Sequence, residues 1–343
     1  MEDNKMHLYF QDAPFIISAS KCTDIPAFYM DWFMKRLEVG HSLWVSPHTG
    51  IKSQMSYENA RFIVFWSKNP RPLLKYLDKI DAMGYNYYIH YTLNDYEKED
   101  LEPKLPNLRE RIDTFKMLVD RLGPKRVIWR FDPLILTNNI TDDILIEKIS
   151  NIGNILKGYT EKLVFSYADI STFQSVRQKL IEQNVSYREW DIDSMTSFAK
   201  KLSLLNEHWN LALTTCGEKI DLSKYGVGLN KCIDDNLIIQ LAYNDEKLMN
   251  FLGVKMCSTN DCTQDAVLLG NGNYAIKTKT CGAVKIGKRT YCGCIPSRDI
   301  GEFSTCPHSC IYCYANDNNK LVMEKYNSHL KFPWGGNISG GEE

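Results

Sequence analysis

Three cysteines near the end of the chain have the spacing of a metal-cluster site. Cys306, Cys310 and Cys313 follow a C-x3-C-x2-C pattern within residues 305–316. Three thiolates so spaced can wrap a loop around a [4Fe–4S] cluster and bind three of its irons. No fourth cysteine continues the local pattern, so the fourth iron is open to a small ligand that binds through an amine and a carboxylate. A structural zinc site is the alternative, because His308 lies inside the loop and could be the fourth zinc ligand.

The cysteines are concentrated in one part of the chain. Of the 11 cysteines among 343 residues, 10 lie between Cys216 and Cys313, and Cys22 lies apart. A disulfide framework is typical of short secreted chains. Residues 1–11 are polar and acidic, unlike an export signal. This distribution predicts a cytoplasmic protein that binds metal.

The composition is that of an ordinary soluble protein. Lys and Arg total 41 against 42 Asp and Glu, which gives a net charge of −1, and 44% of the residues are hydrophobic. This balance argues against binding to nucleic acid through bulk electrostatics, although a small basic pocket remains compatible. No apolar run reaches the ~18 residues that a membrane span needs. We therefore expect a small-molecule substrate and no membrane partner.

The first two thirds of the sequence predict a parallel α/β fold. Apolar runs without alternation, typical of strands covered on both faces, are followed by amphipathic stretches. Seven such repeats favour a TIM-like β/α barrel, complete or partial, with a doubly wound open sheet as the alternative. The predicted strands are residues 15–20, 43–46, 62–66, 87–92, 127–131, 163–167 and 211–215, and the predicted helices are 26–38, 72–83, 108–122, 142–157, 172–183 and 194–207.

The composition changes near residue 217. Beyond it glycine and cysteine become more frequent and long periodic helices stop, with one short helix expected at 234–241. The sequence therefore predicts three parts. They are an N-terminal tail (1–14), the β/α barrel (15–216), and a cysteine-rich iron–sulfur region that covers the barrel mouth (217–343).

Polar side chains end each predicted strand, and in a barrel these carboxyl ends converge on the active site. Arg130 and Asp132 alternate within residues 129–133 and so share one buried face of the strand. A buried arginine needs an anion, which Asp132 or a substrate carboxylate could supply. Polar turns that merely follow strands are the alternative. Further residues in such positions are Ser18, Ser20, Lys21, Thr23, Asp24, Trp66, Lys68, His90, Asn94, Tyr167 and Thr214.

The cysteine loop resembles the cluster loop of radical S-adenosylmethionine (SAM) enzymes, in its spacing and in Tyr312 directly before the third cysteine. The resemblance implies that SAM occupies the open iron and is cleaved by an electron from the cluster. Tyr312 would approach the adenine through its backbone, and a reductase, ferredoxin or flavodoxin would donate the electron. We expect Arg130, Asp132, Lys68 and Asp24 to orient SAM or substrate, with cofactor contacts from Ser18, Ser20, Thr23, Trp66 and His90. For His90, a role in core packing is the alternative.

Several blocks along the chain carry a second resemblance, to the domain-of-unknown-function 1848 (DUF1848) family. They are residues 17–20, 23–29, 64–70, 127–133, 216–222, 231–235 and 292–301. The family has a C-terminal cysteine cluster like that of radical SAM proteins, and no reaction comes with it. The blocks imply a second site for an auxiliary [4Fe–4S] cluster or zinc. Its ligands would be Cys216, Cys232, Cys292 and Cys294, although Cys216 and Cys232 could instead be buried free thiols.

The sequence departs from both resemblances. Lys21 and Cys22 stand where the DUF1848 family usually has two arginines, which puts an anion contact there in doubt. In ordinary radical SAM enzymes the cysteine loop follows the first barrel strand. Here only 30 residues follow Cys313, so the barrel must precede the cluster. The segment 257–281 looks like an insertion, and its Cys257, Cys262 and Cys281 have no assigned role.

The end of the chain carries a weaker match. Gly340, Gly341 and Glu342 resemble the Gly-Gly-Glu segment that binds the amino group of SAM. A glycine-rich chain end that is only flexible is the alternative.

Three functions are compatible with these patterns. The leading hypothesis is a radical-SAM-like enzyme. Its rival is a non-catalytic protein in which zinc or iron–sulfur serves structure, sensing or electron transfer. The third is a nucleic-acid lesion repair enzyme, because residues 312–315 resemble the loop of spore photoproduct lyases. The near-neutral charge gives that third hypothesis no support.

Overall fold

The computed structural model describes residues 10–46, 50–257, 266–278 and 293–340. Its strands are β1 (Phe10–Asp12), β2 (Ile16–Ala19), β3 (His41–Val45), β4 (Lys52–Ser56), β5 (Phe62–Ser67), β6 (Asn86–Thr92), β7 (Val127–Leu134), β8 (Leu136–Thr137), β9 (Lys162–Tyr167), β10 (Tyr187–Arg188), β11 (Ala212–Thr215), β12 (Val227–Leu229), β13 (Val254–Cys257), β14 (Val267–Leu268), β15 (Tyr274–Lys277) and β16 (Arg298–Asp299).

Eight of these strands form one parallel sheet in the order β12-β11-β9-β7-β6-β5-β2-β16. From β2 to β12 each strand pairs beside the preceding strand of the sheet, and β16 pairs with β2 on the opposite side. The predicted α/β class and parallel sheet are therefore confirmed. Within the described residues no pairing joins the edge strands β12 and β16, so closure into a barrel is not among the observed hydrogen bonds. Both β12 and β16 lie beyond residue 216 in the chain.

Ten helices are described in this part of the chain. They are α1 (Ile25–Phe28), α2 (Met30–Val39), α3 (Leu77–Ala82), α4 (Leu108–Leu122), α5 (Asp142–Leu156), α6 (Gln174–Glu182), α7 (Ile192–Asn206), α8 (Asp235–Ala242), α9 (Glu246–Leu252) and α10 (Asn319–Lys331), with 3-10 turns at Arg71–Tyr76, Pro124–Arg126 and Ser223–Tyr225. Helix α8 confirms the short helix expected at 234–241. None of the described helices combines the length and apolar character that crossing a membrane requires.

The sheet separates two hydrophobic cores. Successive side chains of a strand point to opposite faces. Ile63 and Phe65 of β5 therefore pack with the core that contains α2, α4, α5 and α7, which we call the outer face. Phe62 and Val64 pack with the core that contains α8 and α9, which we call the inner face. Because both faces are covered, the strands read as continuous apolar runs.

Three expectations from the sequence are wrong. The strand predicted at 43–46 corresponds to β3 (His41–Val45), which pairs antiparallel with β4 in a separate sheet. The helix expected at 26–38 is divided into α1 and α2 at Tyr29, whose φ of −130° and ψ of 20° are not helical. Long helices do not stop near residue 217, since α10 has 13 residues. The ring of its His329 packs edge-on against Tyr29, with 4.7 Å between ring centroids. This long-range contact is invisible to local periodicity.

Strand β16 joins the C-terminal part of the chain to the sheet through Asp299. The carboxylate accepts hydrogen bonds from Ser18 Oγ at 2.8 Å, Ser20 Oγ at 2.5 Å and Lys21 N at 2.8 Å. The backbone N–H of Gly301 donates to it as well, at 2.9 Å. This connection brings the cysteine loop, which follows in sequence, to the carboxyl end of β2.

We predict that Gly301→Ala weakens this connection. A Cβ at residue 301 would lie 1.9 Å from Ser20 Oγ and 2.7 Å from Ser20 Cβ, and the short buried serine side chain cannot move aside without leaving Asp299. Overpacking of this kind costs about 1–3 kcal/mol of unfolding free energy, measurable by urea denaturation. Gly228→Ala is the control, because its nearest contact would be an ordinary 3.9 Å. Equal stability of the two variants would contradict the prediction.

Candidate functional site

The cysteine loop, residues 306–313, lies against the carboxyl ends of β2, β5 and β6. His308 Nε2 is 2.9 Å from Asp24 Oδ2, in the segment that follows β2. The hydroxyl of Tyr312 accepts a hydrogen bond at 2.9 Å from Nζ of Lys68, which directly follows β5. Parallel sheets bind ligands at these carboxyl ends. The three cysteines therefore lie at the edge of the sheet where chemistry is expected.

Tyr312 holds the loop through a buried polar network. Lys68 Nζ lies 2.8 Å from Glu102 Oε1, the Tyr312 hydroxyl donates to the same carboxylate, and Asn94 Nδ2 donates to the hydroxyl at 3.0 Å. Arg111 Nη1 is 3.5 Å from Glu102 Oε2. Burial acts to raise the pKa of Glu102, but the charges of Lys68 and Arg111 outweigh burial and lower it. Lys68, predicted to orient a ligand, is thus engaged in holding the loop.

Asp24 holds the loop from the other side. Its Oδ1 accepts hydrogen bonds from Ser67 Oγ at 2.6 Å and from Ala27 N at 3.0 Å, and its Oδ2 accepts from Lys68 N at 2.8 Å. Burial acts to raise the pKa of Asp24, but the hydrogen bond and charge of His308 outweigh it and lower the pKa. Asp24 is therefore an ionised carboxylate that ties β2, β5 and the cysteine loop together.

Two thiols of the loop, those of Cys306 and Cys310, lie in surroundings that favour the protonated form. Burial raises the pKa of Cys306 and Cys310, and Asp24 and the neighbouring thiols raise that of Cys306 further. The backbone N–H of His308 acts in the opposite direction on Cys306, as Lys68 does on Cys310. Such thiols become ligands when a metal displaces their protons. Across the described ranges, no three His, Cys, Asp or Glu side chains form a site for a single metal ion.

Three buried polar atoms on and beside the loop lack a hydrogen-bond partner among the described residues. They are Nδ1 of His308, Oγ1 of Thr23 and Oδ1 of Asn316, whose side chains are 2%, 7% and 3% exposed. Leaving a buried polar group unpaired costs about 1–3 kcal/mol, so a bound group with polar atoms fits here. Three cysteines with polar atoms beside them are the donor set that a thiolate-ligated cluster and its ligand require.

A cluster of polar and aromatic side chains, which we call the polar cluster, lies beside the loop on the inner face of the sheet. The Trp66 ring stacks on His90 at 4.3 Å, and the Arg130 guanidinium lies over Trp66 at 5.2 Å. Of the two anions considered for Arg130, Asp132 forms a short ion pair with it, and Ser166 donates to the same carboxylate. Burial, with help from Arg130, lowers the pKa of His90 to about 3, so this imidazole is neutral.

Three of the four cysteines predicted for a second site lie close together next to the polar cluster. Sγ of Cys216 is 3.3 Å from Sγ of Cys232, and Cys232 N donates to Cys294 Sγ at 3.1 Å. Arg130 Nη1 at 3.5 Å and Asn230 Nδ2 at 3.2 Å donate to Cys232 Sγ. The hydrogen bond shared by the two sulfurs lowers the pKa of Cys232 and raises that of Cys216. Together with the donors Arg130 and Asn230, this arrangement favours negative charge on Cys232 over Cys216.

Other predicted site residues lie elsewhere. Ser18 and Ser20, predicted to contact a cofactor, are bonded to Asp299. Gly340 lies against α10, where its N–H donates to Asn337 O at 3.2 Å and an added Cβ would lie 3.0 Å from Ser328 O. Cys257 ends β13. Cys262, Cys281, Cys292, Gly341 and Glu342 lie outside the described residues.

The sequence analysis missed three residues that hold the site together. Glu102 lies in a turn without any motif, so no local signal marks it. Asp299 lies in one of the recognised blocks, but its partners are about 280 positions earlier in the chain. Lys179 on α6 donates to the carbonyl oxygens of Cys313 and Asn316, and lysines on the exposed face of an amphipathic helix carry no signal of such a contact.

Comparison with known proteins identifies a family and no activity. The family model described as a domain of unknown function (DUF1848) matches residues 16–315. This range includes the whole sheet and all three cysteines of the loop. No curated protein matches the chain.

We predict that Glu102→Gln destabilises the protein in a pH-dependent manner. The folded pKa of Glu102 lies below its ordinary 4.5, so its stabilising contribution is complete above that value and is lost as the pH falls through the folded pKa. At pH 7 the variant leaves Lys68 and Arg111 without their carboxylate, which costs about 3–5 kcal/mol. Urea unfolding should show a difference from wild type that is constant above pH 4.5 and shrinks steadily as the pH is lowered below that value.

Asp78→Asn is the matched control for this measurement. The Asp78 side chain is 93% exposed, and its ion pair with Arg121 lies on the surface. Exposed pairs contribute little to stability, so this variant should stay close to wild type across the same pH range. A loss for Glu102→Gln that is independent of pH would contradict the assignment of an ionised Glu102.

Proposed function

This chain belongs to the DUF1848 family, and we propose that it is a radical-SAM-like enzyme acting on a small molecule. In this proposal Cys306, Cys310 and Cys313 bind a [4Fe–4S] cluster whose fourth iron takes SAM. The observation that carries the proposal is the attachment of the cysteine loop to the carboxyl edge of a parallel sheet, next to the polar cluster of Trp66, His90, Arg130 and Asp132. The order in which the sheet strands are added agrees with a partial barrel of the TIM type.

The donor set favours a cluster over a single zinc ion. His308, the alternative fourth zinc ligand, has its Nε2 bonded to Asp24, which leaves only Nδ1 available to a metal. In the described part of the chain no three ligand-type side chains converge on one ion position. A cluster separates its thiolate ligands further than one ion does, because several irons lie between them. When bound and reduced, such a cluster supplies the electron that breaks a C–S bond of SAM.

The residues of the chain then divide between two tasks. Lys68, Asp24 and the Tyr312 side chain hold the loop in place. In this proposal the polar cluster lines the ligand pocket, where the pair of Arg130 and Asp132 would orient the charged groups of SAM or of the substrate. These assignments revise the expectation that Lys68 and Asp24 contact the ligand directly.

His90 and Trp66 give the pocket its selectivity in this proposal. Nε2–H of His90 donates to Cys232 O at 2.7 Å, so Nδ1 carries the lone pair, and it has no partner among the described residues. A neutral imidazole so placed accepts a hydrogen bond from a substrate N–H or O–H group. Lys21 Nζ and Arg130 both lie over the Trp66 ring, so the pocket is suited to a substrate with an anionic group.

Further parts of the proposal rest on the resemblance alone. They are a reductase, ferredoxin or flavodoxin as electron donor, a cytoplasmic location, a backbone contact of Tyr312 with the adenine, and a contact of the 340–342 segment with the SAM amino group. Thr23 fits a ligand contact, because its hydroxyl is buried and has no described partner.

The first test is anaerobic reconstitution followed by assay for SAM cleavage. The loaded wild-type protein should contain at least about four irons and four sulfides per chain. After reduction with dithionite it should release 5′-deoxyadenosine from SAM. Replacing Cys306, Cys310 and Cys313 together by Ala should abolish both the product and the corresponding iron. Cys257→Ala, in the small antiparallel sheet, is the control and should retain both. A loaded and reducible cluster that yields no 5′-deoxyadenosine would contradict the proposal.

A non-catalytic metal protein is the second candidate, and the contact between Cys216 and Cys232 favours it. Two buried sulfurs 3.3 Å apart, with Cys294 adjacent, fit a structural or electron-transfer site. We predict that Cys216→Ala with Cys232→Ala removes either one zinc or a separate group of about four irons. Metal and sulfide analysis of the purified protein would measure this. An unchanged metal content would show that the two are free thiols.

A further inference from the structure

Lys179 is a cation that the proposed enzyme mechanism does not use. It lies on α6, and its ammonium group donates to the carbonyl oxygens of Cys313 and of Asn316, the latter at 2.9 Å. The Phe173 ring, directly before α6, lies 5.4 Å from the Tyr314 ring. Helix α6 therefore supports the far side of the cysteine loop, opposite the Tyr312 network.

The surroundings of Lys179 differ from those of Lys68, the other lysine at the loop. Glu102 neutralises Lys68 through an ion pair of 2.8 Å. In the part of the chain that the structure describes, no carboxylate lies within 4.0 Å of the Lys179 ammonium, and its hydrogen bonds go to two carbonyl oxygens. A half-buried ammonium without an anion is unfavourable. Lys179 therefore has no carboxylate partner in the described part of the chain. A negatively charged group bound by the loop could balance its charge.

The loop ligand Cys313 lies directly beside Lys179, whose ammonium group donates to the Cys313 carbonyl oxygen. Burial lowers the pKa of Lys179, whereas the thiols of Cys313 and Cys310 act to raise it, followed by smaller contributions from Asp317 and Glu182. Thiolates that ligate a cluster would therefore place negative charge close to an ammonium group that has no described carboxylate within 4.0 Å.

We propose that Lys179 is the charge partner of the cluster held by Cys306, Cys310 and Cys313 and raises its reduction potential. The proposal rests on the proposed function, since it assumes the cluster. One-electron reduction adds negative charge to the cluster, and a nearby fixed cation stabilises the reduced form more than the oxidised form. The electron comes from a low-potential donor, which is dithionite in the experiment below. Lys179 is thus a positioning and tuning residue without contact to substrate.

The test is a redox titration of the reconstituted full-length protein, followed by electron paramagnetic resonance of the reduced cluster. Lys179→Met removes the charge, and Lys179→Arg retains it. At a fixed solution potential, the ratio of reduced to oxidised cluster should fall about tenfold in Lys179→Met, equivalent to 59 mV for one electron. It should change less than threefold in Lys179→Arg. Arg177→Met is the control, because it removes an exposed cation from the same helix, and it should match wild type.

Lys179→Gln keeps the test decisive if Lys179→Met does not assemble a cluster. The amide retains a hydrogen-bond donor for the two carbonyl oxygens but carries no charge. If Met and Gln variants both fail to load iron while Lys179→Arg loads fully, the charge itself is required, which supports the proposal. A Gln or Met variant with full iron and the wild-type potential would overturn it, as would failure of the Arg variant to load.

The outcomes separate this inference from the proposed function. A potential that is insensitive to Lys179, in a protein that releases 5′-deoxyadenosine from SAM, would refute the inference alone. A potential that shifts as described, in a loaded protein that never releases 5′-deoxyadenosine, would refute the proposed function and leave the role of Lys179 intact.

Discussion

The burial of the Cys306 and Cys310 thiols at the edge of a parallel sheet is the constraint on which the rest of the site depends. Thiols buried there are stable as neutral groups, and they become anionic only with nearby positive charge. The charged groups around them already have partners, since Lys68 pairs with Glu102 and the Asp24 carboxylate is bonded to His308 Nε2. These pairs fix the geometry of the loop before any ligand binds, which is the preorganisation that a reactive site needs.

Polar and charged side chains connect the two groups of sulfur atoms. Arg130 pairs with Asp132 and also donates to Cys232. Negative charge at Cys310 and at Asp132 acts to raise the pKa of Lys68. A change of charge at either group of sulfur atoms therefore changes the electrostatic potential at the other, because charge interactions between buried groups are weakly screened. This arrangement suits a protein in which both groups take part in one process.

The cysteine loop can follow the strands of the sheet in sequence because the last of these strands, β16, pairs with the first, β2. Strand β16 pairs with β2, and Asp299 accepts hydrogen bonds from the segment that follows β2. The cysteine loop therefore reaches the edge beside β2 from the C-terminal side. Closeness in space to the first strand, rather than in sequence, is what the site requires.

The sequence by itself determined the local features of this protein. Apolar runs without alternation predicted seven strands, and six of them lie in the parallel sheet. The alternation of Arg130 with Asp132 predicted that both lie on one face. The spacing of Cys306, Cys310 and Cys313 marked the loop, since these patterns depend on neighbours in the chain. Only the tertiary structure decided that Glu102 and Asp299 hold that loop. It assigned the strand predicted at 43–46 to a separate sheet. It also decided that Lys68 anchors the loop, because these roles depend on contacts between distant segments that one-dimensional periodicity does not encode.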